Sequence, residues 1–161
     1  MNWPLSHATS GWLFFNELTD NPLAHYQVLA RQESGGREKI IGHTGFWLVA
    51  GEAHIVTIAV APAERGHGLG ELLLLNLLTL VCEVAPSRVA LEVRASNQAA
   101  HDLYLKYRFT DIGRRRRYYR DTGEDAIVME VDLTAVSGYC TWLGRQADRL
   151  FARLGRADLA A

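Results

Sequence analysis

The alternation of hydrophobic and polar positions predicts strands towards both ends of the chain and in its middle. Runs that are rich in β-branched and aromatic residues, or that alternate in polarity, are typical of strands. They lie at 25–30, 40–49, 54–60, 88–94, 109–119 and 126–133. The glycine pair at 35–36 predicts a turn, because glycine adopts positive φ cheaply, and the first two strands then form a hairpin. The turn at 121–124 joins the last two strands.

Helical spacing of apolar residues marks four further segments. They cover 10–20, 66–84, 98–107 and 136–154. Ser10 and Asn97 stand in N-cap positions, where a short polar side chain accepts a hydrogen bond from the first free N–H groups of a helix. Pro22 and Pro86 end the first two helices. The last helix is amphipathic, and its apolar side is predicted to carry Leu143, Ala147, Leu150, Phe151 and Leu154.

The order of these elements predicts the fold class. Strands and helices alternate in the middle of the chain, whereas both ends have the pattern of hairpins. This order favours a mixed sheet with helices on its faces, an α/β or α+β fold, over a purely doubly wound one. The 161 residues, 48% of them hydrophobic, suffice for one domain with a full core.

Charge and composition exclude several classes of protein. The formal net charge of −1 gives no positive field that would favour nucleic acid as a specific partner. No apolar run is long enough for a membrane helix and the start of the chain lacks a signal-peptide pattern, so we expect a cytoplasmic protein. Cys82 and Cys140 suit reduced thiols. Neither they nor the 6 scattered histidines have metal-ligand spacing, so no metal is expected.

A basic, glycine-rich loop follows the third strand and opens the longest helix. The free N–H groups and positive potential at such a helix start suit an anion, above all a phosphate. A dinucleotide fingerprint would need GxGxxG and a later acidic residue, and a Walker A loop would need GK[ST]. Neither is present, whereas Arg65, Gly68 and Gly70 match the pattern [RQ]xxGx[GA]. The alternative is a glycine-rich turn that binds nothing.

This pattern resembles the pyrophosphate loop of the GNAT (Gcn5-related) N-acetyltransferases. The segment LEVRASN at 91–97, the pair LY at 103–104, and the segments RRYY at 116–119 and EDAIVM at 124–129 closely resemble the RimI-type members of that family. Those enzymes transfer the acetyl group of acetyl-CoA to a protein N-terminal α-amine, typically the N-terminal alanine of a ribosomal protein. The resemblance spans about 13–131.

The resemblance implies a GNAT-type, mostly antiparallel mixed sheet and assigns residues to a site. Glu92 matches the general base of the family and Tyr104 its general acid. The loop backbone should hold the pyrophosphate, the end of the third strand should pair with the pantetheine amides, and Asn97 should contact the pantetheine arm. The implied cofactor-binding residues are Ile58, Ala59, Val60, Arg65, Gly66, His67, Gly68, Leu69, Gly70 and Asn97.

General chemistry is consistent with these roles, and simpler structural roles stay open. An amine near neutral pH is mostly ammonium, so a carboxylate must remove a proton before it attacks a thioester. Glu92 would otherwise pair with Arg88 or Arg94 on a solvated strand face, and Tyr104 would be a core residue. The arginines of 114–117 are expected on a solvated strand edge, with an acidic partner or the CoA 3′-phosphate as the alternative.

Two departures from the family pattern and the segment after the motif lead to further expectations. The strand and helix that normally precede the helix at 10–20 are not found, so we expect a reduced N-terminal part, with either a rebuilt, wider acceptor cleft or a shortened start of the chain. Arg108 replaces the usual glycine after LY, where we expect a strained left-handed helix cap. We divide the chain into an acetyltransferase domain at 1–134 and a C-terminal helical extension at 135–161 that packs on or beside it. Its apolar side is expected to cover the core of the chain, with recruitment of a partner as the alternative.

Two classes of function stay open at the level of the sequence. The first is an N-acetyltransferase that acts on a protein N-terminus, with a lysine or a small-molecule amine as a variant acceptor. The second is an acyl-CoA-binding module with weak turnover. The protein is expected to be a monomer or a homodimer.

Overall fold

The computed structural model describes the backbone of residues 21–158 and the side chains of 21–155. Within that part it contains β1 (Ala24–Gln32), β2 (Glu38–Val49), β3 (Glu52–Val60), α1 (Leu69–Val84), β4 (Arg88–Arg94), α2 (Gln98–Lys106), β5 (Thr110–Tyr119), β6 (Glu124–Asp132) and α3 (Tyr139–Asp158). These elements confirm the predicted strands and the last three predicted helices. The helix predicted over 10–20 lies outside the described residues.

The strands form one mixed sheet in the order β1-β2-β3-β4-β6-β5. The pairs β1–β2, β2–β3, β4–β6 and β5–β6 are antiparallel, whereas β3–β4 is parallel. A parallel pair needs a long crossover, which α1 supplies between β3 and β4. The predicted mixed, mostly antiparallel sheet is therefore confirmed, and β5 with its arginines lies at the expected sheet edge.

The parallel pair is short, and this opens the sheet. Residues 52–55 of β3 pair with residues 88–91 of β4, and the pairing ends there. The remaining parts of the two strands, 56–60 and 92–94, diverge. The cleft between them lies at the carboxyl ends of two parallel strands, where α/β sheets commonly bind ligands.

The core lies between the sheet and α1. The alternation of β4 places Val89, Leu91 and Val93 on one face, where all three are buried. Buried leucines of α1 cover this face, and each contributes about 1.5–3 kcal/mol by leaving water. The opposite face of β4 carries Arg88, Ala90, Glu92 and Arg94, so Glu92 points away from α1.

Helix α3 runs antiparallel along α1 and is held at both ends. Cys140 forms a disulfide with Cys82, with their Cα atoms 5.9 Å apart, so the expectation of reduced thiols was wrong. At the other end Arg153 pairs with Glu71, 2.6 Å between Nη2 and Oε2. The two cysteines are 58 residues apart in sequence, and only the packing of the two helices brings them together.

The apolar side of α3 was predicted correctly except at one residue. Leu143 and Leu150 are buried, and Ala147 and Leu154 pack against the core. Phe151 is 54% exposed, so its placement on the buried side was wrong. No helix in the described part of the chain is long and apolar enough to cross a membrane. The domain boundary at residue 134 stays a prediction.

Candidate active site

A cavity of about 600 Å³ occupies the cleft between the diverging halves of β3 and β4. The glycine loop and the first turn of α1 close one end, and the start of α2 contributes another wall. The lining residues include 55–60, Arg65, Gly66, Gly68, Leu69, Gly70, Glu92, Asn97, Tyr104 and Tyr119. The candidate catalytic pair and the candidate phosphate loop therefore border the same space.

The loop geometry suits a phosphate. Gly66 and Gly68 have φ of 83° and 81°, which side chains rarely tolerate, so both glycines are needed for the chain to turn into α1. Gly68 is the N-cap of α1, and no side chain of the described residues caps the helix there. The first N–H groups of α1 therefore remain available to an anion.

Nine of the ten predicted cofactor residues line this cavity. His67 is the exception, and its Nδ1 lies 3.3 Å from the carbonyl oxygen of Glu64 within the same loop. The Nε of Arg65 donates to the carbonyl of Val60 at 3.1 Å, which ties the loop to the end of β3.

Asn97 begins α2 as predicted. Its Oδ1 accepts a hydrogen bond of 3.2 Å from the backbone N–H of Ala100. The capping role therefore uses the oxygen of the side chain and leaves its two amide hydrogens for a ligand. Asn97 also borders the cavity, so a contact with a bound ligand is compatible with the cap.

Glu92 is nearly buried, with 6% of its side chain exposed, and is held by two basic side chains. Its Oε2 lies 2.8 Å from Nε2 of His54, and its Oε1 lies 3.2 Å from Nη2 of Arg115. The alternative pairing with Arg88 or Arg94 was wrong, because both arginines bind other acidic side chains. Glu92 thus sits in a charged cluster of the sheet instead of on a solvated face.

Tyr104 projects from α2 into the wall of the cavity. Burial, reinforced by the neighbouring Tyr119, raises its pKa to about 12. The phenol therefore keeps its proton at neutral pH. A phenol that stays protonated beside the cavity has a proton or a hydrogen bond to offer to a group bound there.

A second cavity, of about 90 Å³, adjoins the first. Both are lined by Ile55, Val56, Glu92 and Tyr119. The smaller cavity has Trp47, His54 and Tyr118 as its further walls. Glu92 therefore borders two adjoining spaces, one of about 600 Å³ and one of about 90 Å³.

Four residues of this site were not predicted from the sequence: His54, Arg115, Tyr118 and Tyr119. Burial raises the pKa of Tyr119 to about 12 although Arg94, with its guanidinium 3.9 Å from the ring centre, lowers it. The segment RRYY entered the predictions only as a resemblance. The alternation of β3, which puts His54 on the face of Glu92 once the strands are paired, was the one usable signal.

Comparisons with known proteins show which family this chain belongs to. The model of the acetyltransferase (GNAT) family matches residues 2–109. A Bacillus subtilis (strain 168) protein, provisionally named as a [ribosomal protein bS18]-alanine N-acetyltransferase, is 41% identical over 131 residues, which are 80% of this chain and 83% of the relative. The N-alpha-acetyltransferase RimI of Mycobacterium tuberculosis (strain ATCC 25618 / H37Rv) is 40% identical over 122 residues, 73% of this chain and 72% of the relative.

A solved structure shows the same fold. The crystal structure of the ribosomal-protein-S18-alanine N-acetyltransferase from Escherichia coli superposes with a TM-score of 0.66 at 31% identity, over 79% of this chain and 80% of that one. The family match covers more than half of the residues, and the uncapped glycine loop beside a long cleft fits the phosphates and the extended arm of a coenzyme A thioester. The chain therefore belongs to the GNAT family and is an acetyl-CoA-dependent N-acetyltransferase.

Proposed function

We propose that this protein acetylates the α-amine at a protein N-terminus, with the N-terminal alanine of ribosomal protein bS18 as its acceptor. The observation that carries the proposal is the position of Glu92 and Tyr104 on one cavity that begins at the glycine loop. Relatives at 41% and 31% identity bear names that specify the same acceptor. A ribosomal acceptor implies that the protein acts in the cytoplasm.

The cavity supplies groups for each part of acetyl-CoA. The loop and first turn of α1 hold the two phosphates through backbone N–H groups. The edge of β3 at 58–60 pairs with the pantetheine amides as an added strand would, and Asn97 contacts the same arm. When bound, acetyl-CoA supplies an acetyl group activated as a thioester.

Glu92 makes the acceptor nucleophilic. A protein α-amine is protonated near neutral pH, and the carboxylate of Glu92 removes that proton directly or through one water. An α-amine has an ordinary pKa of about 8, against about 10.4 for lysine, so its deprotonation at a given pH costs about 3 kcal/mol less. This difference favours the N-terminus over a lysine as the acceptor.

Tyr104 assists departure of the thiol. A thiolate is a better leaving group when it receives a proton or a hydrogen bond. The raised pKa of Tyr104, about 12, means that its phenol holds this proton throughout the neutral range. Base and acid therefore come from different elements, β4 and α2.

The proposal is tested by release of CoA from acetyl-CoA with two peptides of the bS18 N-terminal sequence. One has a free N-terminal alanine, and the other has a blocked N-terminus and an internal lysine. We expect release with the first peptide alone. Release of CoA with the second peptide would indicate a lysine acceptor. If the protein binds acetyl-CoA but releases no CoA with any amine, it is a binding module.

The variant Glu92→Gln tests the role of the proposed base. We expect the rate to fall about 100-fold while the affinity for acetyl-CoA stays, because the amide cannot take a proton. Glu52→Gln serves as the control, since Glu52 lies on β3 with 55% of its side chain exposed and outside both cavities. Wild-type turnover in Glu92→Gln would remove Glu92 from the mechanism.

A further inference from the structure

We propose that His54 is a positioning residue for Glu92: it fixes the orientation of the carboxylate and, by gaining or losing its own proton, sets how readily that carboxylate accepts the proton of the amine. The inference rests on the proposed role of Glu92 as the base. It assigns a role in turnover to a residue of β3 that lies outside both the glycine loop and the LEVRASN segment.

The strand register explains how His54 reaches Glu92. His54 pairs with Ala90 across the parallel β3–β4 contact, and Glu92 follows two residues later on the same face. Because Ala90 carries only a methyl group, it leaves room for the imidazole to reach Glu92. The result is a contact of 2.8 Å from Nε2 to Oε2, with 15% of the His54 side chain and 6% of the Glu92 side chain exposed.

The second oxygen of Glu92 is held from the other side. Arg115 pairs in register with Ala126 of β6, whose small side chain is completely buried, and it extends to Oε1 at 3.2 Å. The two oxygens of the carboxylate thus have different partners from two different strands. The two ion pairs favour the same orientation of the carboxylate.

In the described part of the chain, the titratable and charged groups that face His54 come from two strands. Glu92 lies on β4, and Arg115, Tyr118 and Tyr119 lie on β5. Burial, together with the nearby charge of Glu92, raises the pKa of Tyr118, although Arg115 opposes this, and burial raises that of Tyr119. Both phenols therefore stay neutral below pH 10.

The charge of His54 acts directly on the base. An ionised carboxylate only accepts hydrogen bonds, so Nε2 of His54 carries the hydrogen in this contact. A second proton on the ring creates an imidazolium, which stabilises the carboxylate and weakens it as a base. Neutral His54 keeps the hydrogen bond without the full charge. We therefore expect the acid limb of the pH–rate profile to change when His54 is replaced by a side chain that cannot gain a proton.

Two substitutions separate orientation from titration. His54→Gln places an amide N–H near the position of Nε2 but cannot gain a proton, whereas His54→Ala removes both properties. We measure kcat and KM with acetyl-CoA and the alanine-initiated bS18 peptide from pH 5.5 to 9. His101→Ala is the matched control, because His101 forms a contact of the same length, 2.8 Å to Asp111, outside both cavities.

We expect His54→Ala to lower kcat at least about 10-fold with KM for acetyl-CoA unchanged, the loss typical of a hydrogen bond to a charged group. His54→Gln should recover most of kcat at pH 8–9 and shift the acid limb, while His101→Ala should leave both unchanged. Wild-type kcat and an unshifted acid limb in both His54 variants would overturn the inference. An equal rise in KM for acetyl-CoA and loss of thermal stability would also overturn it, because they would reveal a purely structural role.

A double variant distinguishes failure of the inference from failure of the proposed function. In His54→Ala/Glu92→Gln we expect no loss beyond that of Glu92→Gln, because His54 acts through Glu92. If the reductions in kcat of the two single variants multiply in the double variant, His54 does not act through Glu92. Full turnover in Glu92→Gln would refute the proposed base itself, whereas an inactive Glu92→Gln beside a fully active His54→Ala would refute the role of His54 alone.

Discussion

Arg108 follows α2 with φ at 68°, in the left-handed region that normally favours glycine. This confirms the strained cap that the sequence predicts. A non-glycine residue there costs about 1 kcal/mol. The guanidinium of Arg108 lies 4.4 Å from the ring centre of Trp142 on α3, and such a cation–π contact contributes about 0.5–1 kcal/mol at an exposed site. The contact therefore offsets much of the strain.

Two variants at this residue separate the two effects. Arg108→Gly relieves the strain and loses the stacking, so we expect the free energy of unfolding to change by less than about 1 kcal/mol. Arg108→Ala keeps the strain and loses the stacking, and it should be the less stable variant. Urea unfolding measures both, with Arg145→Ala on the exposed side of α3 as control. A more stable Ala variant than Gly variant would contradict this account.

At the scale of elements, α3 reaches the cofactor loop. Its residue Arg153 pairs with Glu71 in the first turn of α1, and Lys106 of α2 and the Tyr107 hydroxyl bind the same carboxylate. Burial would raise the pKa of Glu71, but the hydrogen bonds from these three side chains outweigh it and lower the pKa. The carboxylate thus joins three helices beside the start of α1.

Because α3 lies close to the glycine loop, a substitution in the loop can change the packing of α3 as well as ligand binding. A Cβ at Gly68 would lie 3.2 Å from Leu154 and 3.5 Å from Arg153, and φ at Gly68 is 81°. A side chain there would disturb α3 as well as any bound phosphate. Gly70 lines the same cavity, and a Cβ there would have no atom of the described residues within 4 Å.

Gly70→Val is therefore the sharper test of the phosphate site. We expect at least an approximately 10-fold weaker Kd for acetyl-CoA, because the side chain blocks close approach to the N–H groups, and little change in Tm. Gly68→Val should weaken binding and also lower Tm. Calorimetric titration gives Kd and thermal unfolding gives Tm. An unchanged Kd in Gly70→Val would argue against a phosphate at this turn.

At the scale of the whole molecule, buried phenols link stability to alkaline pH. Burial raises the pKa of Tyr104 and Tyr119 to about 12, and it also raises the pKa of Tyr107 and Tyr139. A raised folded-state pKa contributes stability that is present below the unfolded value of about 10. That contribution is lost as pH rises from about 10 towards and through the folded-state values.

We therefore expect the free energy of unfolding to fall steeply above pH 10. Tyr104→Phe has no proton to lose at this position, so between pH 9 and 12 it should lose on the order of 2 kcal/mol less than the wild type. Denaturant titrations at several pH values measure both proteins. Parallel curves for the two would show that Tyr104 ionises in the folded state as easily as in the unfolded one.

Local signals in the sequence determined most of the secondary structure and the cofactor loop. The alternation of 88–94 predicts β4 with the bounds observed, and Asn97 caps α2 as its residue type predicts. The glycines of 66–70 predict a turn into a helix, and the structure confirms it. These features depend on backbone dihedrals and on hydrogen bonds between near neighbours, so residue type and spacing are sufficient to reveal them.

The tertiary structure alone decided which distant groups meet. The partners of Glu92 come from β3 and β5, and the disulfide joins residues 58 apart in sequence. The cleft exists because β3 and β4 pair over only four residues each before they diverge. Strand order, register and helix docking set these distances, and they result from packing the whole chain at once. No spacing within a single segment carries that information.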